Sequence, residues 1–430
     1  MSDLPSYSDY KESGVEWLGR IPSHWMIKRL KYVIRNISDK VNAKESELRY
    51  LGLENIESFT GKLINSVELE SEGVGHEFQK NDVLFGKLRP YLAKVYLAEE
   101  RGLSSTEALI FRASEKIHPK FLSYYCLSQD FINEVNGTTF GSKMPRASWD
   151  DVSSFSVCFP EIQEQKAITR YLDKKLAQID TLITKQQALL EKLAEQRIAL
   201  ISNAVTKGLN PDVEMKESEV EWLGKIPSHW DIWKIVHTTD YIGSGTTPKI
   251  DNNEYYDGDT LWVTTSELRE TLIEDTKQHV SELAITTYSA LKKYPKNSVA
   301  IAMYGATIGR LGILGKEATF NQACCVFCCS NILDYKFLYY WLWMRRPILV
   351  SLSNGGGQPN LSQDDLKKIR LPLPPKNEQQ MIVRYLEKEI TNTDVLQDKI
   401  NKIITNLKEY RSALITQAVT GKIDVRNLAN

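Results

Sequence analysis

Two glycine-containing loops in the first half of the chain carry cations, and the first of them also carries an aromatic residue. Their candidate binding residues are Lys87, Arg89, Tyr91 and Lys94 in the first loop, and Lys143 and Arg146 in the second. Lysine and arginine bind phosphate groups, and arginine also forms paired hydrogen bonds with the edge of a guanine base. We therefore expect these loops to bind nucleic acid. For any single residue, an ordinary solvated turn remains the alternative.

The second half of the chain carries polar loops, two of them at corresponding places. The candidate residues there are Tyr304, Thr307 and Arg310 in one loop, Gln358 and Asn360 in another, and Ser244, Thr246, Thr247 and Lys249 in an earlier segment rich in glycine, serine and threonine. Glutamine and asparagine form paired hydrogen bonds with adenine. The matched loops keep glycine and proline but change the polar residues, which is more than solvated surface loops would require.

The segments that position these loops occur twice. Residues 11–25 return as residues 216–230, with Trp-Leu-Gly-x-Ile-Pro-Ser-His-Trp in common, 205 positions later. A helix start at residues 164–172, with Glu-Gln and Arg-Tyr-Leu, returns at 378–386, 214 positions later. The changing offset means that the second repeat gains eleven residues early and loses two later. Two related domains on one chain suit a ligand with two separated sites.

Each repeat is followed by a segment with apolar residues at intervals of three and four. The apolar positions are Leu172, Leu176, Ile179, Ile183, Leu190, Leu193, Leu200 and Ala204 in the first, and Leu386, Ile390, Ile400, Ile404, Leu407, Leu414 and Ala418 in the second. Sustained spacing of this kind is typical of a coiled coil. Connectivity makes the pair antiparallel, and the matched Arg197 and Arg411 favour mutual packing over each helix packing on its own domain.

The predicted fold class is mixed α/β, with two homologous globular domains separated by two long helices that form an antiparallel coiled coil with pseudo-two-fold symmetry. Strands are predicted at Val83–Phe85 and Val299–Ala302, and aromatic-rich helices at Phe121–Leu127 and Phe337–Leu342. The predicted boundaries are 1–160 for the first domain, 161–207 for the first helix, 208–373 for the linker and second domain, 374–420 for the second helix, and 421–430 for a tail.

Composition restricts the class of protein. The chain has 430 residues, of which 42% are hydrophobic and 25% charged, as in ordinary globular proteins. No apolar run is long enough for a membrane helix and no signal peptide is evident, so we expect a cytoplasmic protein without membrane contact. A net charge of −1 gives no overall attraction to nucleic acid. DNA binding must then depend on local patches or on a basic partner.

Signatures of catalysis and metal binding are weak. The chain has neither the Asn/Asp-Pro-Pro-Tyr/Phe motif of adenine methyltransferases nor a Gly-Lys-Ser/Thr phosphate loop. Cys324, Cys325, Cys328 and Cys329 lie in a predicted strand, whose alternation prevents one metal from gathering all four. We interpret these cysteines as small core residues and His24 and His229 as structural. The chain is predicted to be non-catalytic.

The repeated motifs resemble the DNA-specificity subunit of type I restriction-modification systems. The Glu-Trp-Leu-Gly-x-Ile-Pro-Ser-His-Trp segments at 16–25 and 221–230 carry the resemblance. So do the helix starts at 160–172 and 374–386 and the Ala-Val-Thr helix ends at 204–206 and 418–420. The resemblance covers nearly the whole chain. It implies two target-recognition domains that each recognise half of a split, asymmetric DNA sequence, with the helices fixing their separation.

The resemblance also implies partners and cofactors. The partners would be double-stranded DNA, two methyltransferase subunits that methylate adenine, and restriction subunits that translocate and cut DNA. S-adenosylmethionine, ATP and Mg²⁺ would belong to those partners, with no cofactor in this chain. Two alternatives remain at this stage: a tandem-repeat coiled-coil scaffold that does not recognise DNA, and an enzyme with an unrecognised site.

Overall fold

The computed structural model describes residues 4–64, 73–351 and 360–428. The chain forms two compact units: unit 1 contains residues 1–188 and 400–430, and unit 2 contains residues 189–399. Each unit therefore combines one globular domain with parts of both long helices.

Unit 1 contains a mixed α/β domain. Its strands are β1 (Tyr10–Glu12), β2 (Arg20–Pro22), β3 (Met26–Arg29), β4 (Ile34–Ile37), β5 (Lys40–Asn42), β6 (Tyr50–Leu51), β7 (Val74–Phe78), β8 (Val83–Gly86), β9 (Val95–Leu97), β10 (Gly102–Ser105), β11 (Ala108–Ala113) and β12 (Ser156–Phe159). Its helices are α1 (Pro119–Leu127), α2 (Gln129–Gly137), α3 (Trp149–Ser153) and the first part of α4 (Ile162–Lys207). One sheet has the strand order β4-β11-β8-β9, another has β5-β7-β10-β6, and β12 pairs with β3.

Strand β8 lies at the centre of this domain because it is apolar on both faces. Val83 and Phe85 pack in the cluster that includes α1 and α4. Leu84, which points the other way, packs in a second cluster with Leu53 and Phe78. Because its side chains alternate between the two faces, β8 packs in both cores. The residues at its end, from which the next loop begins, are therefore held in place.

Unit 2 repeats this plan. Its strands are β13 (Met215–Glu217), β14 (Lys225–Pro227), β15 (Asp231–Lys234), β16 (Thr239–Gly243), β17 (Thr260–Val263), β18 (Leu272–Ile273), β19 (His279–Val280), β20 (Val299–Ala302), β21 (Leu311–Leu314), β22 (Ala318–Phe320), β23 (Cys324–Cys329) and β24 (Arg370–Leu373). Its helices are α5 (Glu282–Thr287), α6 (Tyr335–Ser351), α7 (Gln363–Lys368) and the first part of α8 (Lys376–Val419). The main sheet has the order β16-β23-β20-β21-β18, a second has β19-β17-β22, and β15 pairs with β24. The predicted strands and helices are confirmed in both domains.

The cysteine-rich segment is a core strand. Cys324 and Cys325 of β23 are fully buried, and the register of β20 against β23 pairs Ile301 with Cys325. Burial raises the pKa of the Cys325 thiol to about 12, so the thiol stays protonated at neutral pH. Within the described residues, no group of three or more His, Cys, Asp or Glu side chains is arranged to hold a metal ion.

The repeated motifs hold each domain to its helix. Gln165 and Gln379, at the starts of α4 and α8, are fully buried. Each donates to two backbone carbonyls, at 2.8 and 3.0 Å for Gln165 and at 2.8 and 2.9 Å for Gln379. His24 contacts Glu164 at 2.9 Å, and His229 makes the matching contact at 2.8 Å. Both histidines therefore contribute to structure, as predicted.

The long helices pair in antiparallel fashion within each unit. In unit 1 the start of α4, with Leu176, shares a core with the end of α8, with Leu414. In unit 2 the end of α4, with Ala204, shares a core with the start of α8, with Leu386. The matched arginines make matched interhelical ion pairs: Arg411 with Asp180 at 3.2 Å in unit 1, and Arg197 with Asp394 at 2.6 Å in unit 2. The predicted antiparallel coiled coil is confirmed.

In unit 1, residues 421–428 pack against the first described residues of the chain. Asp424 N donates to Pro5 O at 2.7 Å, and Lys422 Nζ donates to Leu18 O at 2.6 Å. The Arg426 guanidinium lies 4.9 Å from the centre of the Tyr7 ring. The segment after α8 thus completes the unit 1 core.

Candidate nucleic-acid interface

Backbone hydrogen bonds bring the two predicted loops of unit 1 together. Lys87 N donates to Glu107 O at 2.9 Å, and Ala147 N donates to Lys87 O at 2.9 Å. Arg89 N donates to Pro145 O at 2.8 Å. Because these bonds follow directly from β8, the two loops form one surface beyond the end of that strand.

The first loop is held in an unfavourable backbone conformation. Arg89 and Ala93 have φ values of 51° and 46°, in the left-handed region that side chains other than glycine rarely adopt. Each costs on the order of 1–2 kcal/mol. Tyr91, between them, is 45% exposed. Such strain accumulates at functional sites, where surrounding contacts maintain it.

The second loop contains an arginine with a fixed orientation. Arg146 donates to the Glu107 carboxylate through Nε at 3.0 Å and through Nη2 at 3.2 Å. Both side chains remain partly accessible, at 47% for Arg146 and 28% for Glu107. Lys143, by contrast, is exposed on the same loop. Glu107 is a residue that the sequence analysis missed, because the contact joins positions 39 residues apart.

Lys94 does not belong to this surface. Its Nζ donates to Leu53 O at 2.5 Å and to Ile56 O at 2.9 Å. Its ammonium therefore holds the turn between these two residues against β9. For this reason we leave Lys94 out of the proposed binding surface.

Two apolar side chains also lie on this surface. Phe140 is 63% exposed and Met144 is 47% exposed. The hairpin that carries them closes at the bridge between Phe140 and Arg146. The sequence analysis missed both residues, although apolar side chains beside Gly141 in an otherwise polar loop were a usable signal.

The described parts of the matched loops in unit 2 are joined in the same way. Met303 N donates to Ala323 O at 2.8 Å, and Leu361 N donates to Met303 O at 2.8 Å. Tyr304 and Asn360 form an isolated bridge, as Leu88 and Arg146 do in unit 1. Gln358, the remaining candidate of this loop, lies outside the described residues.

Thr307 and Arg310 lie in the tight turn between β20 and β21. Arg310 N donates to Thr307 O at 3.0 Å, and Gly309 N donates to Ala302 O at 2.8 Å. Both candidate side chains are partly buried. Burial also raises the pKa of the nearby Tyr304 hydroxyl. This turn occupies the place that Arg89 to Ala93 occupy in unit 1.

The earlier candidate segment of unit 2 is an extended strand continuation with a fixed backbone. Tyr294 Oη donates to Ser244 O at 2.7 Å, and Trp262 Nε1 donates to Thr246 O at 3.2 Å. A Cβ at Gly245 would lie 1.6 Å from Phe320 O, so only glycine fits there.

The side chains at the end of this segment are more accessible. Thr247 Oγ1 donates to Gln322 Oε1 at 2.7 Å, and Lys249 is exposed. Ile250, which follows, is 77% exposed. The segment thus ends in a cation beside an exposed apolar side chain, a combination that also occurs on the loops of unit 1.

The charge near the unit 1 loops comes from lysine and arginine rather than histidine. Burial, and then the positive charge of Lys87, lower the pKa of His76. The imidazole is therefore neutral at neutral pH, and the adjacent Lys87 supplies the positive charge.

Comparison with known proteins identifies the family. The model of the type I restriction modification DNA specificity domain matches residues 24–192 and again residues 228–405, which together make up more than half of the chain. The chain belongs to this family. Each matched region includes one pair of joined loops and most of the long helix that follows, α4 in the first and α8 in the second.

Relatives align over most of their length. The chain is 26% identical over 459 aligned residues to the MjaVIII specificity subunit of Methanocaldococcus jannaschii, covering 97% of this chain and 98% of the relative. It is 24% identical over 368 residues to the EcoBI specificity subunit of Escherichia coli, covering 81% and 75%. Both relatives are type I restriction enzyme specificity subunits.

Solved structures support the fold. A chain from structural work on complex assembly and conformational transition of the type I R-M system superposes with a TM-score of 0.75 at 18% identity, covering 93% of this chain and 98% of that one. The HsdS subunit of Thermoanaerobacter tengcongensis gives a TM-score of 0.57 at 19% identity, covering 94% and 98%. Among the described helices, none is both long and apolar enough to cross a membrane.

Proposed function

We propose that each globular domain of this DNA-specificity chain recognises one half of a bipartite, asymmetric DNA target through its joined loops. One observation carries this proposal: the same backbone bonds hold the loops in both units, whereas the side chains on them differ. The proposed contacts are Lys87, Arg89, Tyr91, Lys143 and Arg146 in unit 1, and Ser244, Thr246, Thr247, Lys249, Tyr304, Thr307, Arg310, Gln358 and Asn360 in unit 2. Different side chains in one geometry would give different half-sites.

The proposal assigns a separate role to the helices. Leu182 and Leu189 of α4 are 47% and 40% exposed, seven residues apart. Leu396 and Ile403 of α8, at the matched positions, are 42% and 43% exposed. Repeated apolar residues on outward positions are typical of a surface that packs against a partner helix. They support docking of two methyltransferase subunits, one for each repeat, with restriction subunits joining the assembly.

Chemistry would belong to these partners. The methyltransferase subunits would bind S-adenosylmethionine, and the restriction subunits would use ATP and Mg²⁺, while this chain is non-catalytic and acts in the cytoplasm. A net charge of −1 means that the chain alone attracts DNA weakly over long distances. Basic surfaces on the partners would supply the rest of the attraction to DNA. Family membership supports DNA recognition over a scaffold that does not contact DNA.

The test is to express the chain with the adenine methyltransferase subunit of its system and map adenine methylation across a genome. We expect methylation at one bipartite motif. Exchanging residues 231–360 for those of another family member should change only one half of it. Methylation without a bipartite motif, or a change in both halves, would contradict the proposal.

A matched pair of single variants tests the loops themselves. Lys143→Ala should weaken binding to the target DNA and reduce its salt dependence, because a phosphate contact is lost. Arg20→Ala removes another exposed cation of the same unit, one that is 65% exposed and lies outside the loops. It should leave DNA affinity unchanged. Equal effects of the two variants would show that the loops have no special role.

A further inference from the structure

One position on the loop surface differs between the units while its backbone contact is retained. In unit 1 the carbonyl of Glu107 accepts from Lys87 N at 2.9 Å. In unit 2 the carbonyl of Ala323 accepts from Met303 N at 2.8 Å. The two residues therefore occupy the same place, and only the side chain has changed from a carboxylate to a methyl group.

The neighbouring position changes together with it. The backbone of Arg146 forms an isolated β-bridge with Leu88 in unit 1, and the backbone of Asn360 forms the matching bridge with Tyr304 in unit 2. The Glu-Arg pair of one unit is thus replaced by an Ala-Asn pair in the other.

The geometry in unit 1 leaves part of the arginine available. Glu107 occupies the edge of the Arg146 guanidinium formed by Nε and Nη2, at 3.0 and 3.2 Å. Guanidinium has five N–H donors in a rigid plane. The Nη1 donors and the second Nη2 donor therefore remain for another acceptor pair, such as O6 and N7 of guanine. The carboxylate fixes the plane and reduces the rotamer entropy lost on binding.

In unit 2 the matched side chain is uncharged and requires no carboxylate partner. The Asn360 side chain is short and uncharged, and it is exposed. An asparagine amide donates to N7 and accepts from N6 of adenine without a counter-charge. The absence of a carboxylate at position 323 is therefore compatible with adenine recognition by Asn360.

We propose that these matched pairs determine one base in each half-site. Glu107 is a positioning residue that holds Arg146 for guanine in the half-site of unit 1. Ala323 with Asn360 selects adenine in the half-site of unit 2. The inference rests on the proposed function, because it assumes that the joined loops contact DNA.

The first test uses the full chain in complex with its methyltransferase and target duplexes in which each guanine of the unit 1 half-site is replaced in turn by 7-deazaguanine. Removing N7 at the contacted guanine should weaken binding roughly 5- to 150-fold. This penalty should disappear in Arg146→Ala and shrink in Glu107→Ala. Glu107→Gln, which keeps one acceptor, should restore part of it.

The control is Glu77→Ala, which breaks an ion pair of similar exposure in the same unit. Glu77 accepts from Arg101 Nε at 2.7 Å, and neither residue is part of the joined loops. This variant should retain the full 7-deazaguanine penalty. If Glu107→Ala weakens all duplexes equally and leaves the penalty unchanged, the ion pair is only structural and the inference is wrong. A complex that does not prefer the bipartite target over unrelated DNA would instead refute the proposed function.

A gain-of-function variant gives the second test. The change Asn360→Arg in unit 2 should weaken the preference for adenine at one position. Adding Ala323→Glu should convert that weak preference into one for guanine, because the carboxylate then orients the new arginine. A double variant that selects guanine no better than the single one would overturn the positioning role.

Discussion

Arg411→Ala is expected to destabilise unit 1 strongly. The Arg411 side chain is 8% exposed and donates to Asp180 Oδ1 at 3.2 Å, to Phe59 O at 2.5 Å and to Thr60 O at 3.0 Å. Hydrogen bonds from a charged group contribute about 1.5–3 kcal/mol each, and removing one partner of a buried ion pair costs about 3–5 kcal/mol. Asp180 is 23% exposed and keeps a second partner, Lys62, at 2.6 Å. We therefore expect the lower end of that range, about 3 kcal/mol.

The matched variant Arg197→Ala should have a much smaller effect on unit 2. Arg197 pairs with Asp394 at 2.6 Å, but the two side chains are 30% and 52% exposed. Exposed pairs of this kind contribute about 0.2–1 kcal/mol. The same substitution at equivalent helix positions should thus differ by about 2 kcal/mol or more.

Hydrogen exchange during denaturant unfolding is the suitable assay, because two units on one chain need not unfold together. Amides in residues 57–62 should exchange faster in Arg411→Ala, and the unit 1 core should lose protection at lower denaturant. Unit 2 should be unchanged in that variant. The reasoning is refuted if Arg197→Ala destabilises its unit as much, or if Arg411→Ala stays within about 0.5 kcal/mol of wild type.

Three further outcomes are expected. Deleting one heptad from each long helix removes about 10 Å of helix, so the spacer of the DNA target should shorten by roughly 3 base pairs with both half-sites unaltered; an unchanged spacer in methylation mapping would contradict this. Gly245→Ala places a Cβ 1.6 Å from Phe320 O and should lower stability by about 3 kcal/mol in denaturant titration. Gly137→Ala, with nothing within 4 Å, is the control and should be neutral or stabilising by up to ~1 kcal/mol. Because burial lowers the pKa of His76 in the folded state, unit 1 should lose stability as pH falls below the ordinary value of 6.5. Below that pH the unfolded chain binds the proton more readily than the folded protein. The stability of His76→Gln should therefore change less with pH when melting temperatures are compared at about pH 7.5 and 5.5. A pH profile identical to that of the wild type would contradict this expectation.

Local patterns accounted for much of the fold. Apolar spacing predicted α4 and α8 to within a few residues, since such spacing directly reflects burial. The matched positions of Arg197 and Arg411 indicated the pairing of the helices, and the ion pairs bear this out. The strand predicted for Cys324 to Cys329 is present as β23, and Cys324 and Cys325 lie in different hydrophobic clusters because alternate side chains point to opposite faces.

Local sequence patterns do not predict side-chain contacts between residues that lie far apart in the sequence. The contact of Arg411 with Phe59 joins residues 352 positions apart. Lys94 was assigned to the surface from its place after a strand, yet its ammonium points to carbonyls of an earlier turn. Glu107 was overlooked for the same reason, since nothing near it in sequence indicates Arg146 as its partner. In each case the three-dimensional fold, rather than local spacing, determines the role.

The way in which the chain is divided between the two units also affects the order in which they can fold during synthesis at the ribosome. Unit 2 is drawn from the continuous stretch 189–399, whereas unit 1 needs residues 400–430 in addition to residues 1–188. A nascent chain can therefore complete its second recognition domain before its first. Until α8 emerges fully, Leu176 and the other apolar residues of the unit 1 core lack the Leu414 face that covers them. This reverses the usual N-terminal-first order of folding, because residues 400–430 complete the first domain only after the stretch that forms the second has been made.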